Sequence, residues 1–212
     1  MGGVGRPGFT GCVATSSEPR NLDSLKAEIR TYIASGAYDR DIAAVARKVS
    51  AWIETRAAHR TTGEQLTLVL DLDETLLSGW PYAQQYDFGG DDASWNAWTA
   101  AGAAPPIEPI REVYRLARRL GIEVVFLTGR QERERAGTEK NLRAIGCTDY
   151  AVLICRPNGS KEKAAVYKTA ARWRLAGEGN VIIANVGDQE SDLAGSFAER
   201  TFKLPDPFYI LE

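Results

Sequence analysis

The stretch "LTLVLDLDETLLSGW", Leu66 to Trp80, decides how this chain is read. Its first half is an unbroken apolar run of the length of a strand buried on both faces. The run then ends in three acids, Asp71, Asp73 and Glu74, followed by Thr75. Asp71 and Asp73 are two residues apart, so on extended backbone they leave the chain on the same side, with Cα atoms about 6–7 Å apart. Two carboxylates ~4 Å apart repel by about 4 kcal/mol at an effective dielectric near 20. A fold accepts that cost where a cation sits between them or where one carboxyl keeps its proton.

Working outward, the same alternation repeats. "IEVVFLTG", "YAVLIC", "VIIANVG" and "TFKLP" read as strands, and "IREVYRLARRL", "TEKNLRAIG", "KTAARWRLAG" and "SDLAGSFAE" as helices between them. "AAVY", just before Lys168, reads as a short extended piece that puts Lys168 in the first turn of its helix. Strand alternating with helix predicts an α/β fold, a Rossmann-like central parallel sheet covered on both faces in three layers. Ligands then bind at the carboxyl ends of the strands. Motif residues fall there: Asp71 and Asp73 after the first strand, Thr128, Gly129 and Arg130 after the second, Asp188 and Asp192 after the fourth. Four acids and a hydroxyl, with no His or Cys beside them, describe an oxygen site for a hard cation, Mg²⁺ above all.

Two further regions flank this pattern. Leu22, Leu25, Ile29 and Ile33, then Ile42, Val45, Val49 and Ile53, fall at helical spacing. They predict a pair of N-terminal helices over residues 21–60, divided at Gly36. Residues 78–106 hold Trp80, Tyr82, Tyr86, Phe88, Trp95 and Trp98 and match neither helix nor strand. A segment this long between elements reads as a small cap insert or lid. Trp80 and Tyr82, next to the acidic motif, are candidates for stacking on a nucleotide base or an aryl group. The expected organisation is a flexible segment over 1–20 and one domain over 21–212.

Composition narrows the function classes. The chain has 212 residues, 44% hydrophobic and 25% charged, with a net charge of −2 and a pI near 5.6. These values carry no nucleic-acid footprint. The single histidine, His59 in "AAHRTTG", excludes chemistries that need two. No cysteine is followed six residues later by arginine, so a thiolate phosphatase does not fit; no G-x-x-x-x-G-K-[ST] loop accompanies the first strand, so an ATPase does not either. Cys147 and Cys155 read as small core residues. "FTGC", Phe9 to Cys12, looks like the end of a bacterial lipoprotein signal with Cys12 lipidated, but no apolar h-region precedes it.

"DLDET", "FLTGR", "YKTAAR" and "GDQESDL", in that order and ending in "FKLPDPFYI", resemble the haloacid dehalogenase (HAD) superfamily of aspartate-nucleophile phosphatases. Within it they resemble the class B-like acid phosphatases of subfamily IIIB, a group that includes plant vegetative storage proteins and bacterial lipoprotein phosphatases. The resemblance runs from about Asn21 to the C-terminus. It implies a Mg²⁺-dependent acid phosphatase acting on a small-molecule phosphate monoester through an aspartyl phosphate. Asp71 is then the nucleophile and Asp73 the general acid and base, its backbone carbonyl a metal ligand. Thr128 and Lys168 bind the phosphoryl oxygens, with Gly129 and Arg130 beside them and Lys161 and Lys163 the alternatives to Lys168. Asp188 and Asp192 complete the metal set. Glu190 departs from the pattern, since the family often has an aromatic or aliphatic residue there. The resemblance also implies a periplasmic, lipid-anchored or secreted location, the alternative being cytoplasmic. Two non-hydrolytic readings stand beside it: a storage or binding protein on the same scaffold, and a phospho-acceptor signalling domain.

Overall fold

The computed structural model describes residues 19–211; Cys12 and most of the segment expected to be flexible lie outside the described residues. Five strands form one parallel sheet: β1 (Gln65–Leu70), β2 (Glu123–Gln131), β3 (Val152–Arg156), β4 (Asn180–Gly187) and β5 (Thr201–Lys203). Their spatial order is β3-β2-β1-β4-β5. The chain therefore winds outward from β1 through β2 to β3, then returns to place β4 on the other side of β1. The switch point lies between β1 and β4, where crossovers on opposite faces leave a crevice at the strand ends.

Register fixes what meets there. Leu70 of β1 pairs with Val186 of β4 and with Phe126 of β2. Asp71 N–H, one residue on, donates to Val186 O at 3.0 Å. The residues just past Leu70, Phe126 and Val186 are thus brought to one point.

The helices cover both faces. On one face, α1 (Leu22–Ala34), α2 (Ala37–Ala58) and α5 (Glu108–Arg119) form the larger core. There Ile42, Val49, Ile53, Ile110 and Val113 are buried against Leu68, Leu70, Val124 and Phe126. Gly36 separates α1 from α2 at φ 70°, a left-handed conformation glycine takes without strain. On the other face α7 (Ala164–Gly177) lays Tyr167, Ala171 and Leu175 on Val69, Val125 and Leu127. Cys147 and Cys155 are buried free thiols, and His59 is exposed.

Three expectations change. The 78–106 insert is not irregular: it holds α3 (Trp80–Gln85) and α4 (Asp92–Ala101). Both are short, each buries only one residue, Ala83 in α3 and Thr99 in α4, and the rest of their inward side is half-buried aromatic rings instead of an aliphatic stripe, which hides the helical period. Asp91 and Ser94 cap α4 reciprocally. Second, "AAVY" is helical. Tyr167 is drawn onto the sheet by packing, so α7 begins at Ala164 and Lys168 stands in its second turn. Third, "SDLAGSFAE" is helical only over α8 (Glu190–Leu193). The chain then turns through Gly195 at φ 80°. A Cβ at Gly195 would lie 2.5 Å from Thr169 Oγ1, so this approach requires glycine. The carbonyls freed by that turn are taken by one buried arginine, Arg172, which donates to Asp192 O at 2.7 Å, to Ser196 O at 3.3 Å and to Ala194 O. The remaining helix, α6 (Arg135–Ala144), packs against α4 through Gly137, where a Cβ would come within 2.2 Å of Thr99 O.

Candidate active site

At the switch point, Asp71, Asp188 and Asp192 each present a carboxylate oxygen within 4.8 Å of the others, and all three residues are buried. Lys168 Nζ reaches between them, 2.6 Å from Asp71 Oδ1 and 2.5 Å from Asp192 Oδ1. The other oxygen of Asp192 accepts the Gln189 N–H at 2.9 Å, closing the turn after β4. Thr75 Oγ1 donates to Asp188 Oδ1 at 3.1 Å, which gives the threonine of "DLDET" its place.

Three carboxylates against one ammonium leave this pocket two negative charges in excess. Burial pushes the Asp71 carboxyl up to about 7, against the pull of Lys168 and with Asp192 and Asp73 adding to the rise. Burial, with Asp71 and Asp192 nearby, pushes Asp188 up to about 10. Burial opposes the Lys168 charge, yet Asp71 and Asp192 hold its pKa above the ordinary lysine value. The donor set fits a hard divalent cation: oxygen ligands only, converging, and too negative to stay ionised without one.

Asp73 stands apart from this trio. Its carboxylate is clasped by Arg130, with Nη2 2.6 Å from Oδ1 and Nε 2.9 Å from Oδ2. Arg130 is itself almost wholly buried, donates to Thr138 Oγ1 at 3.2 Å, and lies 5.9 Å from the Trp95 ring centroid. Its carboxylate is not among those that converge in the buried trio. Thr128 is fully buried and its Oγ1 accepts the Arg130 N–H at 3.1 Å.

The site opens into a cavity of about 810 Å³. Its floor is Asp71, Asp73, Lys168, Asp188 and Asp192; Gly129 and Arg130 form one side, and Tyr82, Phe88 and Trp95 of the insert form the roof. The C-terminal segment closes the remaining side. Gln189 Nε2 donates to Asp188 Oδ2 and Asp206 Oδ2, both at 2.6 Å, while its Oε1 accepts the Leu211 N–H at 2.9 Å. Tyr209 Oη donates to Glu74 Oε2 at 2.6 Å, and Glu74 Oε1 takes the Gly79 N–H at 2.5 Å.

The family model for HAD superfamily, subfamily IIIB (Acid phosphatase) matches residues 15–212. The chain belongs to this family of acid phosphatases. The parallel sheet with acids at its strand ends is the HAD core. Acid phosphatase 1 of Solanum lycopersicum is 40% identical over 148 residues, covering 68% of this chain and 58% of that protein. Vegetative storage protein 1 of Arabidopsis thaliana is 32% identical over 198 residues, 89% of this chain and 73% of that one. Several of the curated relatives are thus matched over little more than half their length. The class C acid phosphatase of Bacillus anthracis superposes with a TM-score of 0.76 over 89% of this chain and 86% of its own. At 18% identity that likeness is one of fold.

On the HAD fold, the residues singled out from sequence divide as follows. Asp71, Lys168, Asp188 and Asp192 meet in one buried cluster, with the Asp73–Arg130 pair beside it. Lys161 and Lys163 line the cavity but do not enter that cluster. Tyr82 lines the roof, its hydroxyl bonded to Ser94 Oγ at 2.9 Å. Trp80 turns away, stacked on Phe208 at 5.6 Å and tilted against Phe88 at 5.9 Å, so it ties lid to C-terminus and does not line the cavity. Glu190 is exposed at the start of α8. Sequence reasoning assigned no role to Gln189, Asp206 and Tyr209, although they lie within the quoted "GDQESDL" and "FKLPDPFYI", and it noted Arg172 only as standing one turn after Lys168.

Proposed function

We propose that the protein hydrolyses small phosphate monoesters through a phosphorylated Asp71, with Mg²⁺ as its cation. The observation that carries this reading is Asp71 itself: a buried carboxylate, beside a lysine and two further carboxylates, on the floor of an open cavity. Asp71, Asp188, Asp192 and the Asp73 carbonyl are the groups that would hold the cation. Bound there, it would offset the repulsion between the Asp71 carboxylate and a phosphate dianion.

The chain's own groups do the rest. Lys168 neutralises the charge spread over the phosphoryl oxygens, and Gly129 and Arg130 line the space they occupy, with Thr128 buried behind them on the Arg130 N–H. Asp71 attacks phosphorus and the ester P–O bond breaks. The leaving alkoxide takes a proton from Asp73, which Arg130 holds beside the cavity. Asp73 then removes a proton from water, the water oxygen attacks phosphorus, the P–O bond to Asp71 breaks, and inorganic phosphate and the free Asp71 carboxylate result.

The test is phosphate release from p-nitrophenyl phosphate with Mg²⁺. Turnover should stop reversibly with EDTA and be abolished in Asp71→Asn at an unchanged circular dichroism spectrum. Turnover that survives Asp71→Asn would remove the nucleophile assignment, and turnover indifferent to EDTA would remove the metal. The likeness to vegetative storage proteins supports a second reading, a storage protein on the same scaffold. Absence of any phosphate release across aryl, nucleotide and sugar phosphates would favour it.

A further inference from the structure

Beyond the buried cluster, the cavity has a second concentration of positive charge that the reaction above does not use. Arg133, Arg156, Lys161 and Lys163 all line it, on the side away from the C-terminal segment. They come from two loops that the sheet sets side by side. Gln131, at the end of β2, pairs with Arg156, at the end of β3. The loops are braced against each other. Arg133 N–H donates to Asn158 Oδ1 at 2.8 Å, Gly159 N–H donates to Gln131 Oε1 at 3.0 Å, and Arg156 Nη2 donates to Glu162 O. The backbone that carries the cations is therefore a braced ledge.

Their charge is uncompensated. Among the described residues none of the four forms an ion pair, whereas Arg130 and Lys168 on the cavity floor and Arg135 just behind the ledge all do. Two carboxylates line the cavity beside these four cations, Glu162 and Glu134, and Glu134 is already taken by the Gln131 N–H at 2.7 Å and Trp95 Nε1 at 3.1 Å. Two further donors are unspent. The Nε of Arg156 is buried without any hydrogen-bond partner. The first turn of α7 begins at Lys163 and Ala164, both lining the cavity, with no side chain capping it. A buried unmade donor costs free energy, and an uncapped helix start among cations favours an anion.

Resting on the phosphatase reading, we propose that this ledge binds a second phosphate, so that the preferred substrates are phosphomonoesters carrying a further phosphate group. One phosphate sits on the floor against Lys168 and Asp71, and the other is held by Lys161, Lys163, Arg133 and Arg156. General attraction of anions into the cavity would favour every phosphate ester by a similar factor. A built second site favours the bisphosphate selectively and only at a matching spacing.

The probes are alkane-1,n-diol bisphosphates of increasing chain length, each beside its monophosphate, assayed with the full chain and Mg²⁺. At the best length, kcat/KM should exceed that of the monophosphate by about tenfold or more, the scale of a charge-assisted phosphate contact. Two equivalent phosphates alone give a factor of two. In the Lys161→Ala/Lys163→Ala variant, and separately in Arg156→Gln, the advantage should fall toward that factor. A wild-type ratio of two at every length, or a ratio unmoved in both variants, overturns the proposal. So does an ω-phosphoalkanoate, with carboxylate for the second phosphate, that performs as well. If no ester is turned over, calorimetric binding of the same pairs to wild type and to the double variant still reads the ledge. Tighter bisphosphate binding lost in the variant keeps the second site while the phosphatase reading falls; equal binding of bisphosphate and monophosphate removes the second site.

Discussion

On the sheet side of the cavity the contacts are ion pairs. Lys168 lies 2.6 Å from Asp71 and 2.5 Å from Asp192, Arg130 lies 2.6 Å from Asp73, and the side chains of Lys168 and Arg130 keep 5% and 1% of their surface exposed. On the lid side the contacts are between rings. Tyr82 meets Tyr86 at 4.7 Å, Trp95 at 5.2 Å and Trp98 at 5.9 Å. Charges buried in low dielectric depend on their partners one by one, and removing one partner strands the other. Rings share their burial over several neighbours, and losing one leaves a void that the rest partly refill. The sheet side should therefore answer single substitutions with large, specific losses of turnover, and the lid side with small, graded ones.

The severest break of this contrast is Lys168→Ala. It removes the cation between Asp71 and Asp192, so kcat/KM should fall about 10²-fold or more, the scale of one lost oxyanion-type contact. Steady-state kinetics beside a thermal melt decides it. A drop below tenfold in a folded protein would mean the ammonium is structural.

Glu74 joins the two walls and tests the contrast by pH. It is buried at φ 54°, with Gly79 of the lid on one oxygen and Tyr209 on the other. Burial first, then Asp73, pushes its carboxyl up to about 8. The folded protein thus binds this proton more tightly than the unfolded chain does, near 4.3 for free glutamate. Its contribution to stability is fullest below that value, declines as pH rises, and levels off above about 8. Glu74→Gln keeps the acceptor for Gly79 and removes the titration. Between pH 5 and pH 8, in EDTA, the unfolding free energy from urea titrations should shift in favour of the variant by about 3 kcal/mol relative to wild type. A difference independent of pH would show that Glu74 is ionised throughout.

Arg130→Lys keeps a charge but loses the two-pronged clasp on Asp73. Turnover of an alkyl phosphate should fall about tenfold more than turnover of p-nitrophenyl phosphate, whose leaving group departs without a full proton. Asp73→Asn should show the same bias. Equal losses on both substrates would separate Asp73 from proton transfer.

The same contrast explains what could be read from sequence. Asp71 and Asp73 were legible because acids ending an apolar strand have no structural excuse, and Asp188 and Asp192 because they repeat that placement after β4. The parallel sheet followed from strand–helix alternation alone. The C-terminal closure was not legible: Tyr209 reaches Glu74 across 135 residues, and only the return of β4 beside β1 brings them together. The insert helices were missed because the half-buried Tyr82, Trp95 and Trp98 pack on one another, so no aliphatic stripe marks their period. The start of α7 was misplaced because Val166 and Tyr167 favour extended backbone locally, and packing of Tyr167 on the sheet overrides that preference.

Trp80 and Tyr82 lie two residues apart on α3 yet belong to different halves of this contrast, which makes them the finest test of it. Tyr82 lines the cavity, with its hydroxyl fixed on Ser94. Its ring is available to the organic part of a substrate, where an aromatic contact adds about 0.5–1.5 kcal/mol. Tyr82→Leu should therefore raise KM for aryl phosphates by about threefold to tenfold, with KM for small alkyl phosphates and kcat for both nearly unchanged. Trp80 is stacked on Phe208 and faces no ligand, so Trp80→Leu should lower the melting temperature by a few degrees and leave the ratio of the two KM values where it was. The two variants share one helix, one residue class and one replacement, so general loosening of the lid would move both in the same way. Identical changes in the KM ratio would mean that Tyr82 acts only through packing and that the roof takes no part in choosing the substrate.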